Sequence, residues 1–488
     1  MNIPNWVQDA IFYQIYPDRF AKGNKLPNHG FEPWDSAPTT HGFKGGDLYG
    51  VIEKLDYLQD LGINAIYFNP IFASASNHRY HTYDYHNVDP LLGGNDALKK
   101  LLDKAHKRGI RVVLDGVFNH ASRGIWQFHH VLETGAASPF KDWFIFDEER
   151  LNGKKNWGAY PTQHEQEAIR REGSLKAIGY QGWWNLPALP KFNTNTPAVR
   201  EFLFGVAESW IKFGFDGWRL DVPGDIDDDS FWQEFRRRVR AVNPEAYIVG
   251  EIWHEAQRWL QGDQFDGVMN YLVTAAALGF FGGQHVKMHV VNQCGGLHNR
   301  VHPAMNANGF ANELDRLFKL YKPETTRAQL NLLDSHDMPR FLSCTGGDKD
   351  SLKLAWLFMF TIPGAPCIYY GDEVGVDGGH DPECRKTFPW DESKWDVDLL
   401  DYAKACTALR SGHASLRRGN YKRIHAEGHV MAFARTHINE TLTVAFNASH
   451  EARTVALPLN KNPQILFGNP VISENSVTIP PRSGIVIK

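Results

Sequence analysis

The 488-residue chain lacks the marks of several protein classes. Its five cysteines, Cys294, Cys344, Cys367, Cys384 and Cys406, are odd in number, scattered, and form no C-x-x-C pair. That excludes a disulfide framework and a thiolate zinc site, and predicts reduced, buried thiols. No apolar run reaches the ~18 residues of a membrane span. The stretch Met1-Asn2-Ile3-Pro4-Asn5-Trp6 lacks the basic start and apolar run of a signal peptide, so a cytoplasmic location is expected. Charge of one sign is also scarce in excess: 52 Lys and Arg stand against 56 Asp and Glu, net −4, with no basic block. Nucleic acid is therefore not an expected partner. There is no low-complexity tract, and no G-x-S-x-G elbow, H-E-x-x-H pair, Walker loop or G-x-G-x-x-G fingerprint. Serine hydrolase, zinc protease, nucleotidase and dinucleotide-dependent readings lose their usual machinery.

Aromatic residues are plentiful, with 15 Trp, 17 Tyr and 30 Phe. They fill cores first, but Trp and Tyr also offer flat apolar faces with a polar edge, which suits pyranose rings among other ligands. Short β-branched or aromatic runs alternate with longer amphipathic stretches. The runs are Ala10–Tyr16, Ala65–Pro70, Arg111–Val117, Gly217–Val222, Tyr247–Ile252, Gly267–Tyr271, Leu330–Asp334 and Pro366–Tyr370. Helical patterns cover Val51–Leu61, Asp96–Arg108, Pro197–Phe213, Ser230–Val242 and Ser351–Phe360. Eight strands each followed by a helix predict an α/β fold closed as a (β/α)8 TIM barrel.

Two stretches break the rhythm. Residues 121–190, rich in Trp, Gly, Asn and Pro, read as an inserted B domain after strand 3. From 417 to 488 short strand-like runs at Met431–Arg435, Leu442–Asn447, Thr454–Leu457, Ser476–Ile479 and Gly484–Ile487 predict a C-terminal β-sandwich. The barrel is then assigned to 1–120 and 191–416.

Barrel enzymes carry their chemistry at the C-terminal ends of the strands. Asp115, Asp221, Glu251 and Asp337 each end or follow an apolar strand run. Alone, each is more often an ion-pair partner or helix cap. Converging on one face they would raise one another's pKa and weaken the fold, a burden kept only for function. Glycoside hydrolysis wants such a set: a carboxylate to attack the anomeric carbon, a protonated carboxyl for the leaving oxygen, and acidic groups to hold the sugar. Arg219, two residues before Asp221 and so on the same side of the strand, would keep Asp221 ionised, while Glu251 would hold a proton near neutral pH. His120 and His336, near two strand ends, could donate to sugar hydroxyls. His78, His81 and His86, interleaved with Tyr80, Tyr83 and Tyr85, read as a sugar platform rather than a metal cage.

Asp115–His120 (DGVFNH), Gly217–Val222 (GWRLDV), Gly250–His254 (GEIWH) and Leu333–Asp337 (LDSHD) resemble, in order, the four sequence regions of the α-amylase superfamily. Leu189–Asn193 (LPKFN), Trp259–Tyr271 and Tyr370–Arg385 are similar to the branch of cyclomaltodextrinases, neopullulanases and maltogenic amylases, including debranching members. The resemblance spans nearly the whole chain and implies retaining hydrolysis of α-glucans. It implies Asp221 as nucleophile, Glu251 as general acid/base, and Asp337 as the carboxylate gripping the distorted sugar. Asp115, Arg219, His120 and His336 would support that subsite, Tyr80 would stack on the ring, and Trp253 and Arg340 complete the expected substrate-binding set. 

The chain also departs from that branch. Most members carry an N-terminal domain that builds a dimer; here the first strand run begins at Ala10, so any homodimer is expected to form by other means. His81-Thr82 replaces the usual Asp-Thr, and Pro223-Gly224-Asp225 gives a differently built acceptor side, leaving linkage and chain length open between α-1,4 and α-1,6 bonds. Ala21–Asp35 has few of the carboxylates of the calcium loop in some relatives, and Asn119 alone at a calcium-ligand position is not a site. No cofactor or metal is expected to be required, and structural calcium is unsupported. A glucanotransferase of the same fold and a non-catalytic glucan-binding protein remain as competing functions.

Overall fold

The structure is a computed structural model that describes residues 3–155, 160–474 and 476–488. Met1 and Asn2 of the N-terminal stretch lie outside them. Each of the eight expected runs becomes a parallel strand: β1 (Phe12–Ile15), β2 (Ala65–Phe68), β3 (Arg111–Gly116), β4 (Gly217–Leu220), β5 (Tyr247–Gly250), β6 (Gly267–Val268), β7 (Leu330–Leu332) and β8 (Ala365–Tyr369). They form one sheet in the order β6-β5-β4-β3-β2-β1-β8-β7, and a parallel bridge between Met269 and Leu330 joins its two ends. The fold is a (β/α)8 barrel. β6 is shorter than the run Gly267–Tyr271 predicts, because Tyr271 opens a helix, Tyr271–Ala277.

The surrounding helices follow from their apolar spacing. In Gly94–Lys107, residues Ala97, Leu98, Leu101, Leu102 and Ala105 are buried, one stripe facing the sheet. Pro197–Phe213 begins with proline at its first turn and stops at Gly214, whose φ of 133° suits glycine. Asp229–Val242 is capped by Asp228, which accepts from the N–H groups of Ser230 and Phe231. The helix expected over Val51–Leu61 is two, Leu48–Glu53 and Leu55–Asp60, broken at Lys54.

The insertion after β3 holds more regular structure than its weak periodicity suggests. It contains helices Trp126–Thr134, Gln163–Glu172 and Ser174–Ile178, the second entered through a Thr162/Glu165 capping box. Bridges Phe144–Phe192, Phe146–Tyr180, Gly182–Pro190 and His120–Lys191 fold it back over the barrel mouth.

The C-terminal part is all-β. Strands β9 (Asn420–Glu427), β10 (Val430–His437), β11 (Glu440–Asn447), β12 (Arg453–Val455), β13 (Ile465–Phe467), β14 (Val471–Ser473), β15 (Ser476–Ile479) and β16 (Ser483–Ile487) form sheets ordered β9-β10-β11-β16-β13 and β12-β15-β14. β9, β13 and β14 are additions to the expected set. Along β10, Val430 and Ala432 join a core between the sheets, while Met431 and Phe433 join the main core. One sheet buried on both faces cannot show the apolar-polar alternation of a half-exposed strand.

Candidate active site

The floor of the site is built at the ends of β3, β4 and β5. Asp115, fully buried on β3, accepts hydrogen bonds from Tyr67 Oη (3.0 Å), Tyr80 Oη (2.7 Å) and Arg219 Nη1 (2.9 Å). Arg219, fully buried on β4, also reaches Asp221 Oδ1 at 3.1 Å, and its Nη2 lies 2.8 Å from Glu251 Oε2 in an ion pair. One guanidinium thus faces three carboxylates on three neighbouring strands.

Val222, immediately after Asp221, has φ 36° and ψ 50°. A β-branched residue in the left-handed region is strained. The strain has a visible consequence: its backbone N–H donates to Glu251 Oε2 at 3.1 Å. The other oxygen of Glu251 accepts from Trp253 Nε1 at 2.9 Å, and the Trp253 ring lies on Tyr271 with centroids 3.6 Å apart and planes 7° from parallel. Glu251 is therefore held at both oxygens.

The opposite wall comes from the loop after β7. His336 is fully buried; its Nδ1 is 2.9 Å from Gln14 Nε2, so the ring accepts there. Its Nε2 lies 2.6 Å from Tyr80 Oη and 3.0 Å from Asp337 Oδ2. Tyr80 and His336 have nearly parallel rings, 5.5 Å apart. Asp337 is half-exposed to the cleft, with Arg385 Nη2 at 3.4 Å on its second side.

These contacts set the protonation pattern. Burial pushes the carboxyl of Asp221 well up, opposed by Arg219 and reinforced by the charges of Glu251, Asp115 and Asp337. Burial likewise raises Glu251, opposed by Arg219 and by its two N–H donors. Asp337 goes the other way: burial would raise it, but His336, Arg385 and Arg219 outweigh that and hold it below the usual range. Arg219 acts on Asp221 in the expected direction, but burial is the larger influence and the guanidinium is shared with Asp115 and Glu251. A single positive charge among these carboxylates leaves a cluster that retains a proton beyond the pH at which free carboxylic acids lose theirs.

His120 is buried at the end of β3, and burial pushes its imidazole down to about 3, so it is neutral. Its Nε2 and Asp221 Oδ2 are buried without a hydrogen-bond partner among the described residues, two polar atoms left unpaired within the site. Arg340 is the exception to the expected set. It is fully buried, paired with Asp372 at 2.6 Å and donating to the carbonyls of Tyr370 (2.9 Å) and Cys384 (3.2 Å). It ties the loop after β8 to that after β7, a structural link rather than the expected sugar contact. Arg385 takes the place at Asp337. Tyr67, Gln14, Tyr271 and Arg385 join the site from outside the expected set, since none is a carboxylate at a strand end; Gln14, near the end of β1, does satisfy the rule of a polar residue at that position.

Among the described residues no group of three or more His, Cys, Asp or Glu is arranged to hold a metal ion. The site's chemistry is that of carboxylates around one guanidinium, roofed by histidine and tyrosine. The family model described as "Alpha amylase, catalytic domain" matches residues 14–399. The chain belongs to the α-amylase family. It is similar to a cyclomaltodextrinase from Geobacillus thermopakistaniensis (43% identical, covering 94% of this chain and 72% of the relative). It is also similar to neopullulanase 2 from Thermoactinomyces vulgaris (41%, 93% and 72%). The solved structure of a debranching enzyme from Nostoc punctiforme matches with a TM-score of 0.87 at 44% identity, across 100% of this chain and 99% of that one. This α-amylase-family chain is a glycoside hydrolase.

Proposed function

We infer that the chain is a retaining α-glucan hydrolase, with Asp221 as nucleophile, Glu251 as general acid/base and Asp337 gripping the attacked sugar. The observation that carries this reading is the single buried guanidinium of Arg219 touching both Asp221 and Glu251. Two carboxylates held on one guanidinium at neighbouring strand ends suit the nucleophile and acid/base of the retaining mechanism that is general in this family. In the first step the Asp221 carboxylate attacks the anomeric carbon while Glu251 gives its proton to the departing glycosidic oxygen. In the second, Glu251 takes a proton from water, which attacks the anomeric carbon and frees Asp221. A glycosidic oxygen beside Glu251 accepts a hydrogen bond only from its protonated form, so bound substrate favours the cluster's proton there. Asp337, held ionised by His336 and Arg385, and the free Nε2 of neutral His120 suit hydroxyls of the strained ring.

The substrates are α-1,4- and α-1,6-linked glucans: maltodextrins, cyclomaltodextrins or branched chains. The names of the relatives support this class, and the near end-to-end match to the Nostoc enzyme supports a debranching preference. Residues 1–120 and 191–416 are assigned to the catalytic barrel, 121–190 to the insertion and 417–488 to the sandwich. Five free, buried cysteines suit a reducing cytoplasm.

The test is a product profile on amylopectin, pullulan, a linear maltodextrin and a cyclomaltodextrin, with anomer and linkage assigned. Linear chains released from amylopectin, with little attack on the maltodextrin and α-anomers first, support retaining debranching. Cleavage of linear or cyclic chains places it with ordinary maltodextrin hydrolases, and products longer than the starting chains favour transfer. β-anomers first, or no release from any substrate, overturn the reading.

A further inference from the structure

A column of three aromatic rings leads away from the carboxylates towards solvent. His120 lies against Trp183 with centroids 4.7 Å apart and planes 13° from parallel; Trp183 lies against Trp184 at 4.6 Å and 16°. The column begins on a fully buried imidazole in the site and ends on an indole that is 76% exposed. Its middle ring is pinned at the edge as well as the face. Trp183 Nε1 donates to Asp225 Oδ2 at 2.6 Å, and Lys191 Nζ donates to the Asp225 carbonyl at 2.7 Å. Asp225 closes the short turn Pro223–Asp225 that follows Asp221, so the column joins the insertion to the catalytic end of β4.

Trp184 is held out deliberately by its backbone. It has φ 49° and ψ 28°, and Asn185 follows with φ 60°. Successive non-glycine residues in the left-handed region are costly and persist only where the surroundings over-determine them. Here Asn185 Oδ1 accepts from Ser174 N (2.9 Å), Ser174 Oγ accepts from Gly182 N (2.9 Å), and Asn185 N donates to Gly182 O (3.0 Å). The strain therefore does not serve burial of the ring. It presents a rigid, flat, apolar face in water, continuous with the site, beside the half-exposed Leu186. Such a face suits the C–H face of a pyranose.

We propose that Trp184, backed by Trp183, is a stacking platform for a glucosyl ring of the α-glucan outside the ring under attack, and that it selects for chain length. The platform rests on the α-glucan reading above, and the experiment separates the two. Maltoheptaose and maltotriose are titrated calorimetrically into the Asp221→Asn chain with and without Trp184→Ala, with the melting temperature as control for folding. The expected result is a five- to tenfold weaker Kd for maltoheptaose, a smaller change for maltotriose, and recovery of most of the loss in Trp184→Phe. Equal losses for both ligands, no loss for maltoheptaose, or no recovery with phenylalanine overturns the platform. Full turnover in Asp221→Asn would overturn the assignment of the nucleophile, and the Trp184→Ala comparison would then be read from KM for the two ligands instead of Kd.

Discussion

Among the buried arginines of the described residues, two centres are satisfied by opposite means. At the catalytic end of the barrel, Arg219 faces Asp115, Asp221 and Glu251, and its positive form is strongly favoured by these charges despite burial. At the junction with the C-terminal sheets, Arg410 and Arg435 meet carbonyls instead. Arg410 donates to the carbonyls of Phe360, Ile362 and Leu416, and Arg435 to those of Thr361 and Gly419. Several of these belong to the last turn of the helix Lys349–Thr361, whose final carbonyls have no partner within the helix. Burial there disfavours the charged form of both arginines. The comparison separates two uses of a buried cation. One caps a helix end and welds two parts together; the other holds several carboxylates in a crowded, mutually repelling group around a single positive charge.

That contrast can be broken experimentally. Arg219→Lys replaces a fork by a point charge that cannot face three carboxylates, and kcat/KM on a cyclomaltodextrin should fall about a thousandfold or more. A loss below tenfold would make Arg219 a structural arginine like the others. Arg435→Met leaves the carbonyls of Thr361 and Gly419 bare and should cost about 2–4 kcal/mol in a urea titration, with turnover per folded molecule unaltered. If turnover fell with stability intact, the two centres would be coupled.

Charge removal within the catalytic cluster should act in the opposite direction to Arg435→Met. Asp221 has a raised pKa, so the folded chain keeps a proton that the unfolded chain has lost above about pH 4. The stability cost of its ionisation appears as pH rises above that value and is complete above the folded pKa. Asp221→Asn should therefore raise the melting temperature most at pH 8, by roughly 1–2 kcal/mol of stability, with the gain closing towards pH 4. The same variant should lose several orders of magnitude in turnover. Asp337 has a lowered pKa, so its contribution is present above about pH 3.9 and lost as pH falls through the folded value. Asp337→Asn should be mildly destabilising at pH 7, under ~1 kcal/mol because the side chain is partly open to solvent. Matching signs for Asp221→Asn and Asp337→Asn in melts across pH would remove the distinction between repelled and paired carboxylates.

The eight strand runs were legible because each is apolar on both faces and bounded by polar residues, as parallel barrel strands must be. β9 was not: Asn420–Glu427 carries Tyr, Ile and Ala among charged residues, and its place is given by pairing to β10 across seven register positions. The insertion's helices were obscured because its aromatic residues pack onto one another; Phe128 contacts Phe144, Phe146 and Tyr180 without a helical stripe needing to repeat. At the site, residue type and strand position pointed to Asp115, Asp221, Glu251 and Asp337. Arg340 shows the limit of that logic, since a residue three positions beyond Asp337 turns into the core while Arg385, far along the chain, comes back to the carboxylate.

By itself the sequence determined the barrel, its strand order in the chain and the carboxylates at the strand ends, because apolar periodicity and the polar residue that stops it are local properties. Only the tertiary structure decided which charge neutralises which. That Arg219 is shared among three strands, that Val222 is strained so its N–H reaches Glu251, and that His120 continues into Trp183 and Trp184 depend on side chains brought together from distant segments. Electrostatic and stacking energies depend on distance and burial through space, which spacing along the chain does not encode.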